Sequence, residues 1–279
     1  MAVKIIIDST TDLIPEIKSR VTVVPLTVHF REEEYIDGVT ITHKEFYEKL
    51  IETDVMPHTS QATPADFADV FEQVANAGDS AVVLTLSSKI SGTYQSAMIA
   101  AADYDNIFVV DSDSVAIGAG ILAELALQLA DSGLDAESIS ERLETEKKNI
   151  RIIAMVDTLE YLKRGGRVSK TVAFAGGLLN IKPVLSVVGG EITMLGKARG
   201  SKQGNNMLVN EIEKSGGVDF SKPVLLGYTG LSDILLKKYI EDSSNLWSGS
   251  TSELRSTVIG SVIGAHAGPG AIAAAFFRK

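Results

Sequence analysis

Over roughly the first 150 residues, short β-rich runs alternate with helical patterns, which restricts this part of the chain to a parallel sheet with crossover helices. The strand-like runs are residues 3–8, 21–27, 81–86 and 107–111. Local chemistry marks the helices between them. Thr63 can cap a helix that has Pro64 in its first turn, an early acid at Asp66 and helical apolar spacing through residues 67–77. Ser91 is the expected cap of the next helix, running to about residue 103. A third covers residues 118–132 and ends in Ser-Gly, and Asp135 caps a fourth that runs into Lys147.

Beyond residue 150 the pattern changes. Runs at residues 152–156, 182–188, 191–195 and 224–228, with the hairpin signal Gly189-Gly190, predict a mixed or antiparallel sheet in a second, α+β domain. The 279 residues, 45% of them apolar, can fill two cores, so domains are expected over 1–150 and 151–279. Residues 256–277 carry no formal charge and are long enough to span a membrane. His266, Pro269 and the glycines at 260, 264, 268 and 270 interrupt them, so a buried strand, a glycine turn and a buried helix are expected instead. The N-terminal apolar run is short and reads as a first strand rather than a signal peptide.

A net charge of −10, with no Lys/Arg run of four, argues against nucleic-acid binding. The absence of cysteine removes disulfides, thiolate nucleophiles and cysteine metal sites, and it is compatible with a cytoplasmic protein. No transmembrane segment is expected, although transient membrane contact stays open. Nucleotide motifs fail in their context. Gly118-Ala119-Gly120-Ile121-Leu122-Ala123 follows the fourth strand instead of opening the first βα turn, so helix packing is the expected use of its glycines. Gly190 and Gly196-Lys197 are spaced too widely for a phosphate loop, and Ala198 stands where a hydroxyl should bind magnesium. His29, His43, His58 and His266 never stand four apart, and Asp111-Ser112-Asp113 reads as a turn, so neither metal nor cofactor is expected.

Thr59, Ser91 and His266 come from distant stretches, each expected just ahead of a helix start, where free backbone N–H groups and the helix dipole favour a carboxylate or phosphate. Ser91 with His266 also admits a nucleophile-and-base reading, although Ser91 lacks the G-x-S-x-G elbow. The basic run Lys163-Arg164-Gly165-Gly166-Arg167-Val168-Ser169-Lys170 is either a solvated loop or an anion-facing or partner-facing surface. Arg199 is a second candidate of that kind.

Five blocks, Asp8-Ser9-Thr10-Thr11-Asp12-Leu13, Thr59-Ser60-Gln61, the run from Leu86 to Ala97 with Ser91-Gly92-Thr93, the Leu162–Lys170 run and His266-Ala267-Gly268-Pro269-Gly270, resemble in order and spacing the DegV family of bacterial fatty-acid-binding proteins. The resemblance spans nearly the whole chain. It implies a Rossmann-like N-terminal domain, with a parallel sheet and helices on both faces, and a C-terminal α/β domain that closes over one long-chain fatty acid. It further implies that a separate ATP-dependent fatty acid kinase phosphorylates the bound carboxylate to an acyl phosphate, the chain itself being a non-catalytic carrier. By match, Thr59 and Ser91 hold the carboxylate, and His266, Arg167 and Arg199 complete the polar network or face the kinase. One departure is Ala62-Thr63 where the family often has Pro-Ser. Two other functions compete: a serine acyl hydrolase or transferase built on Ser91 and His266, and a small-anion sensor.

Overall fold

Ile5, Ile6 and Ile7 are all buried, so the first strand is covered on both faces, as a central parallel strand must be. The computed structural model of the chain describes residues 2–168, 180–248 and 254–279. Its first part runs through β1 (Val3–Asp8), α1 (Pro15–Lys18), β2 (Thr22–Val24), β3 (Thr27–Phe30), β4 (Glu33–Ile36), α2 (His43–Glu52), β5 (His58–Ser60), α3 (Pro64–Asn76), β6 (Ser80–Thr85), α4 (Thr93–Ala101), β7 (Ile107–Asp111), α5 (Ala116–Asp131) and α6 (Ala136–Glu146). It continues through β8 (Ile150–Met155), α7 (Glu160–Arg164), β9 (Ile181–Val188), β10 (Glu191–Arg199), α8 (Gly200–Lys214), β11 (Leu225–Tyr228), α9 (Ile234–Asp242), α10 (Ser244–Trp247), β12 (Ser256–Val258), α11 (Ser261–Ala267) and β13 (Ile272–Phe277).

Three sheets result. β2-β1-β6-β7 is wholly parallel, β10-β9-β8-β13-β11-β12 is mixed, and β4-β3-β5 is a small antiparallel sheet. Side-chain alternation stacks the two larger sheets around α5. Ile5, Ile7, Val82 and Leu84 face α5 and α6, whereas Ile6, Ala81 and Val83 face the α3 and α4 side with Phe67, Phe71 and Ala97. In the mixed sheet Ile152, Ala273, Ala275 and Phe277 face α5, and Ile153, Met155, Ala274 and Phe276 pack on Leu208, Ile212, Leu236 and Trp247. α5 therefore lies between two sheets, which is why its sequence is apolar nearly all round. Its buried acid, Glu124, is held by a two-pronged ion pair to Arg255 at 2.8 and 2.9 Å.

The α/β architecture, with helices on both faces of a parallel sheet and a mixed sheet after it, is as expected. So are two caps: Thr63 and Asp66 form a reciprocal capping box at α3, and Asp135 accepts from the Ser138 N–H at 2.8 Å. The glycine run at 118–123 is a packing device, since a Cβ on Gly120 would sit 2.1 Å from the Asp12 carbonyl oxygen. The Asp111 region is a turn: the Asp111 carboxylate accepts from Ser88 N–H and Asp113 N–H. Among the described residues no group of ligands could hold a metal, and no helix is long and apolar enough to cross a membrane.

Four expectations are corrected. The run 21–27 breaks at Pro25, which cannot donate to a ladder, so β2 ends at Val24 and β3 starts a different sheet at Thr27. Ser91 stands one residue before the N-cap, which is Gly92; its hydroxyl still accepts from the Thr93 N–H, at 3.3 Å. Residues 256–277 form strand, helix, turn and strand, not strand, turn and helix. A short apolar run does not distinguish a buried strand from a buried helix, and here the slot between β8 and β11 claims residues 272–277. His266 consequently lies in the last turn of α11 rather than ahead of a helix. Ser169 and Lys170 of the basic run lie outside the described residues.

Candidate functional site

Thr59 reaches the site because β5 alternates. It pairs with buried Val28 of β3 and points inward, while its neighbours His58 and Ser60 are exposed. His266 arrives from the other end of the chain. α11 packs Val262 and Ala265 into the core beneath β3 and α2, and the approach is close: a Cβ on Gly264 would lie 2.5 Å from the Tyr47 hydroxyl. His266 Nε2 and Thr59 Oγ1 are then 2.9 Å apart across 207 residues of sequence. Ser91 comes from the turn that enters α4, where its Oγ lies 2.9 Å from Thr93 Oγ1. The structure thus brings Thr59, Ser91 and His266 to one polar cavity of about 530 Å³, with Lys89 and Arg167 on its walls.

A second, apolar cavity of about 100 Å³ adjoins it and shares Ile90, Arg167, Ile263 and His266. Its walls are the α5-facing side of the mixed sheet, with Ile152, Ala154, Leu185, Ala271 and Ala273, and the start of α5 at Val115 and Ala116. The space exists because α5 begins at this level and the strands opposite carry alanines. Ala116 holds a φ of +51°, a left-handed conformation that costs a non-glycine residue energy, at the cavity wall.

Burial, and secondarily the Arg167 charge, push the His266 imidazole down to about pKa 4. Its Nδ1 is buried without a partner, because Gly165 packs so close that a Cβ there would lie 2.2 Å away. An orphaned N–H costs more than an orphaned lone pair on this weakly basic ring, so the proton belongs on Nε2 and is donated to Thr59. That leaves the Thr59 O–H free to donate into the cavity. Arg167 spends Nη1 on the Gly165 carbonyl at 2.6 Å and Nε on the Ile90 carbonyl at 3.4 Å, which fixes the guanidinium on the wall that the two cavities share. Arg199 is different. It is exposed at the start of α8, where its N–H donates to Gln203, and it lines neither cavity.

The apolar walls and Gly165 are not legible as functional residues in the sequence. The walls carry no motif, and only the Gly-Gly pair within a basic run hints at a close approach.

The neutral state of His266 has a measurable consequence. Its folded pKa lies below its unfolded value near 6.5, so the unfolded chain binds more protons between about pH 4 and 6.5 and stability falls as pH drops through that window. Relative to His266→Gln, wild type should lose about 2 kcal/mol of stability between pH 7 and pH 5, as measured by denaturant unfolding. Equal pH dependence in the two proteins would show that the imidazole is not desolvated.

Comparison with known proteins bears on the whole chain. The DegV family profile matches residues 2–279. A DegV domain-containing protein of Caldanaerobacter subterraneus subsp. tengcongensis is 39% identical, with 99% of each chain covered. Among solved structures, a DegV family protein from Thermus thermophilus described by its fatty acid binding superposes with a TM-score of 0.88 at 31% identity, covering 99% of this chain and 100% of the other. A fatty acid (stearic acid)-binding protein from Eubacterium ventriosum gives a TM-score of 0.86 at 31% identity, covering 100% and 99%. On both sequence and fold, this chain belongs to the DegV family.

Proposed function

We propose that the protein binds one long-chain fatty acid, with its carboxylate at Thr59 and Ser91 and its tail entering the apolar cavity, which at about 100 Å³ widens to take the whole chain, and presents that head to a separate ATP-dependent fatty acid kinase. The observation that carries this reading is the junction of an apolar cavity with a hydroxyl-lined mouth at Ile90, Arg167, Ile263 and His266. Burying about fourteen methylenes at ~0.8 kcal/mol each supplies ~11 kcal/mol before ordering costs, so the tail provides most of the affinity. The head groups set orientation: hydrogen bonds to a charged group contribute ~1.5 to 3 kcal/mol each, whereas an unpaired buried carboxylate is strongly unfavourable. His266 supports the Thr59 hydroxyl from behind, and Arg167 balances the charge. The same reading takes residues 1–150 and 151–279 as two domains meeting over the ligand, working in the cytoplasm where the kinase has ATP. Exposed Arg199 suits contact with the kinase better than contact with the head group.

The hydrolase alternative fits the geometry less well. A general base must take the proton of its nucleophile, but the His266 Nε2 is engaged by Thr59, the Ser91 hydroxyl by Thr93, and an imidazole with a pKa of about 4 is a weak base. Native mass spectrometry of the purified protein distinguishes them. A carrier should show an added lipid mass that leaves on denaturation, and organic extraction should return a free long-chain acid. A mass that survives denaturation would mean an acyl-enzyme, and a protein without lipid that also fails to bind added fatty acid would refute the carrier.

A further inference from the structure

Gln61 follows Thr59 by two residues and crosses from the end of β5 to the first turn of α4, where its Nε2 donates to the Ser96 hydroxyl at 2.9 Å. Among the described residues this is the only hydrogen bond between residues 58–62 and α4. The same carboxamide lies against Gly92, the N-cap of α4. A Cβ there would overlap the Gln61 Oε1 and sit 2.9 Å from its Cδ and 3.0 Å from its Nε2. The φ of Gly92 is −77°, so the backbone itself would admit a side chain, and what bars one is the Gln61 amide. Gln61, Ser91 and Gly92 all line the polar cavity with Thr59.

β5 needs such a fastening. It has three residues, lies at one edge of its sheet and pairs with β3 alone. Thr59 on β5 and Ser91 in the turn before α4 thus belong to segments that share no strand pairing, and the separation of their hydroxyls depends on what ties those segments together. Two donors serve both oxygens of a carboxylate only when they are held within about 0.5 Å of the productive geometry, whereas a neutral alcohol head is satisfied by one of them. We propose that Gln61, seated on Gly92, is a positioning residue that clips β5 to the start of α4 and so makes the mouth select an ionised acid over a neutral head on the same chain. This assignment rests on the fatty-acid reading above and deepens it by naming what sets the preference for acids.

The test uses the full chain freed of lipid, with palmitic acid and hexadecanol each displacing a fluorescent fatty acid. Gln61→Ala, at an exposed position, should weaken palmitic acid about tenfold and leave hexadecanol within twofold, because one charge-assisted contact is lost from the acid alone. Gly92→Ala should weaken the acid to a similar degree, since its methyl group drives the amide off the helix start. In the Gln61→Ala background the same change should leave the affinity within twofold, because the group it would strike is gone. A general structural role would instead weaken both ligands together and let the two substitutions multiply. Either result overturns the clip, and so does wild-type acid affinity in Gln61→Ala; if hexadecanol displaces nothing, the non-additivity measured with palmitic acid decides. In each of these cases wild type still binds the acid and the fatty-acid reading stands; if wild type binds no fatty acid, both fall.

Discussion

Ala154→Phe purifies without lipid and binds a sixteen-carbon fatty acid about 100-fold more weakly, while its circular dichroism spectrum stays that of the wild type. Ala154 stands on β8 opposite Ala273 of β13 and, unlike its buried neighbours Ile153 and Met155, is half-buried because it borders the apolar cavity. A phenyl ring placed there occupies space that the proposed acyl chain needs. Excluding about four methylenes at ~0.8 kcal/mol each removes ~3 kcal/mol of binding, which is about two orders of magnitude in affinity. The strand itself should tolerate the change, since aromatic side chains suit pleated sheet and this one enters a void. Fluorescent fatty-acid displacement measures the affinity. A variant that keeps both its fold and wild-type affinity would mean that the tail lies elsewhere.

Gly120→Ala unfolds the protein more readily by about 3 kcal/mol or more, seen as a melting temperature lower by roughly 6 °C or more. The neighbour that blocks a Cβ at Gly120 is the carbonyl oxygen of Asp12, a backbone atom that cannot rotate away. The loop carrying it is pinned from two sides: Asp12 N–H donates to the Ala116 carbonyl, and the Asp12 carboxylate accepts from the Gly260 N–H at the start of α11. Displacing Asp12 therefore also disturbs the helix that carries His266. Gly118→Ala is the informative control. The atom it meets, at 2.2 Å, is the hydroxyl of Ser114, which can change rotamer, so its cost should be nearer 1 kcal/mol. Equal melting temperatures for the two variants would refute the backbone-contact explanation.

Much of this fold is written in local signals. The caps at Thr63 and Asp135 were legible because a capping hydroxyl or carboxylate meets a backbone N–H three residues away, so everything needed is adjacent in the chain. The parallel strands were legible because an interior strand needs apolar residues on both faces. The strands β4 and β5 were not assigned, because they are only four and three residues long and owe their pairing to β3.

The sequence by itself determined the family, the parallel sheet and the polar residues Thr59, Ser91, His266 and Arg167 that line one cavity. Only the tertiary structure decided that residues 272–277 are a central strand, that His266 stands behind Thr59 instead of heading a helix, and that Arg199 lies away from the cavities. The physical reason is range. Caps and turns are set by groups a few bonds apart, but a cavity is the space left when α5, α11 and the mixed sheet pack, and that space is bounded by alanines and isoleucines whose chemistry carries no label of its own.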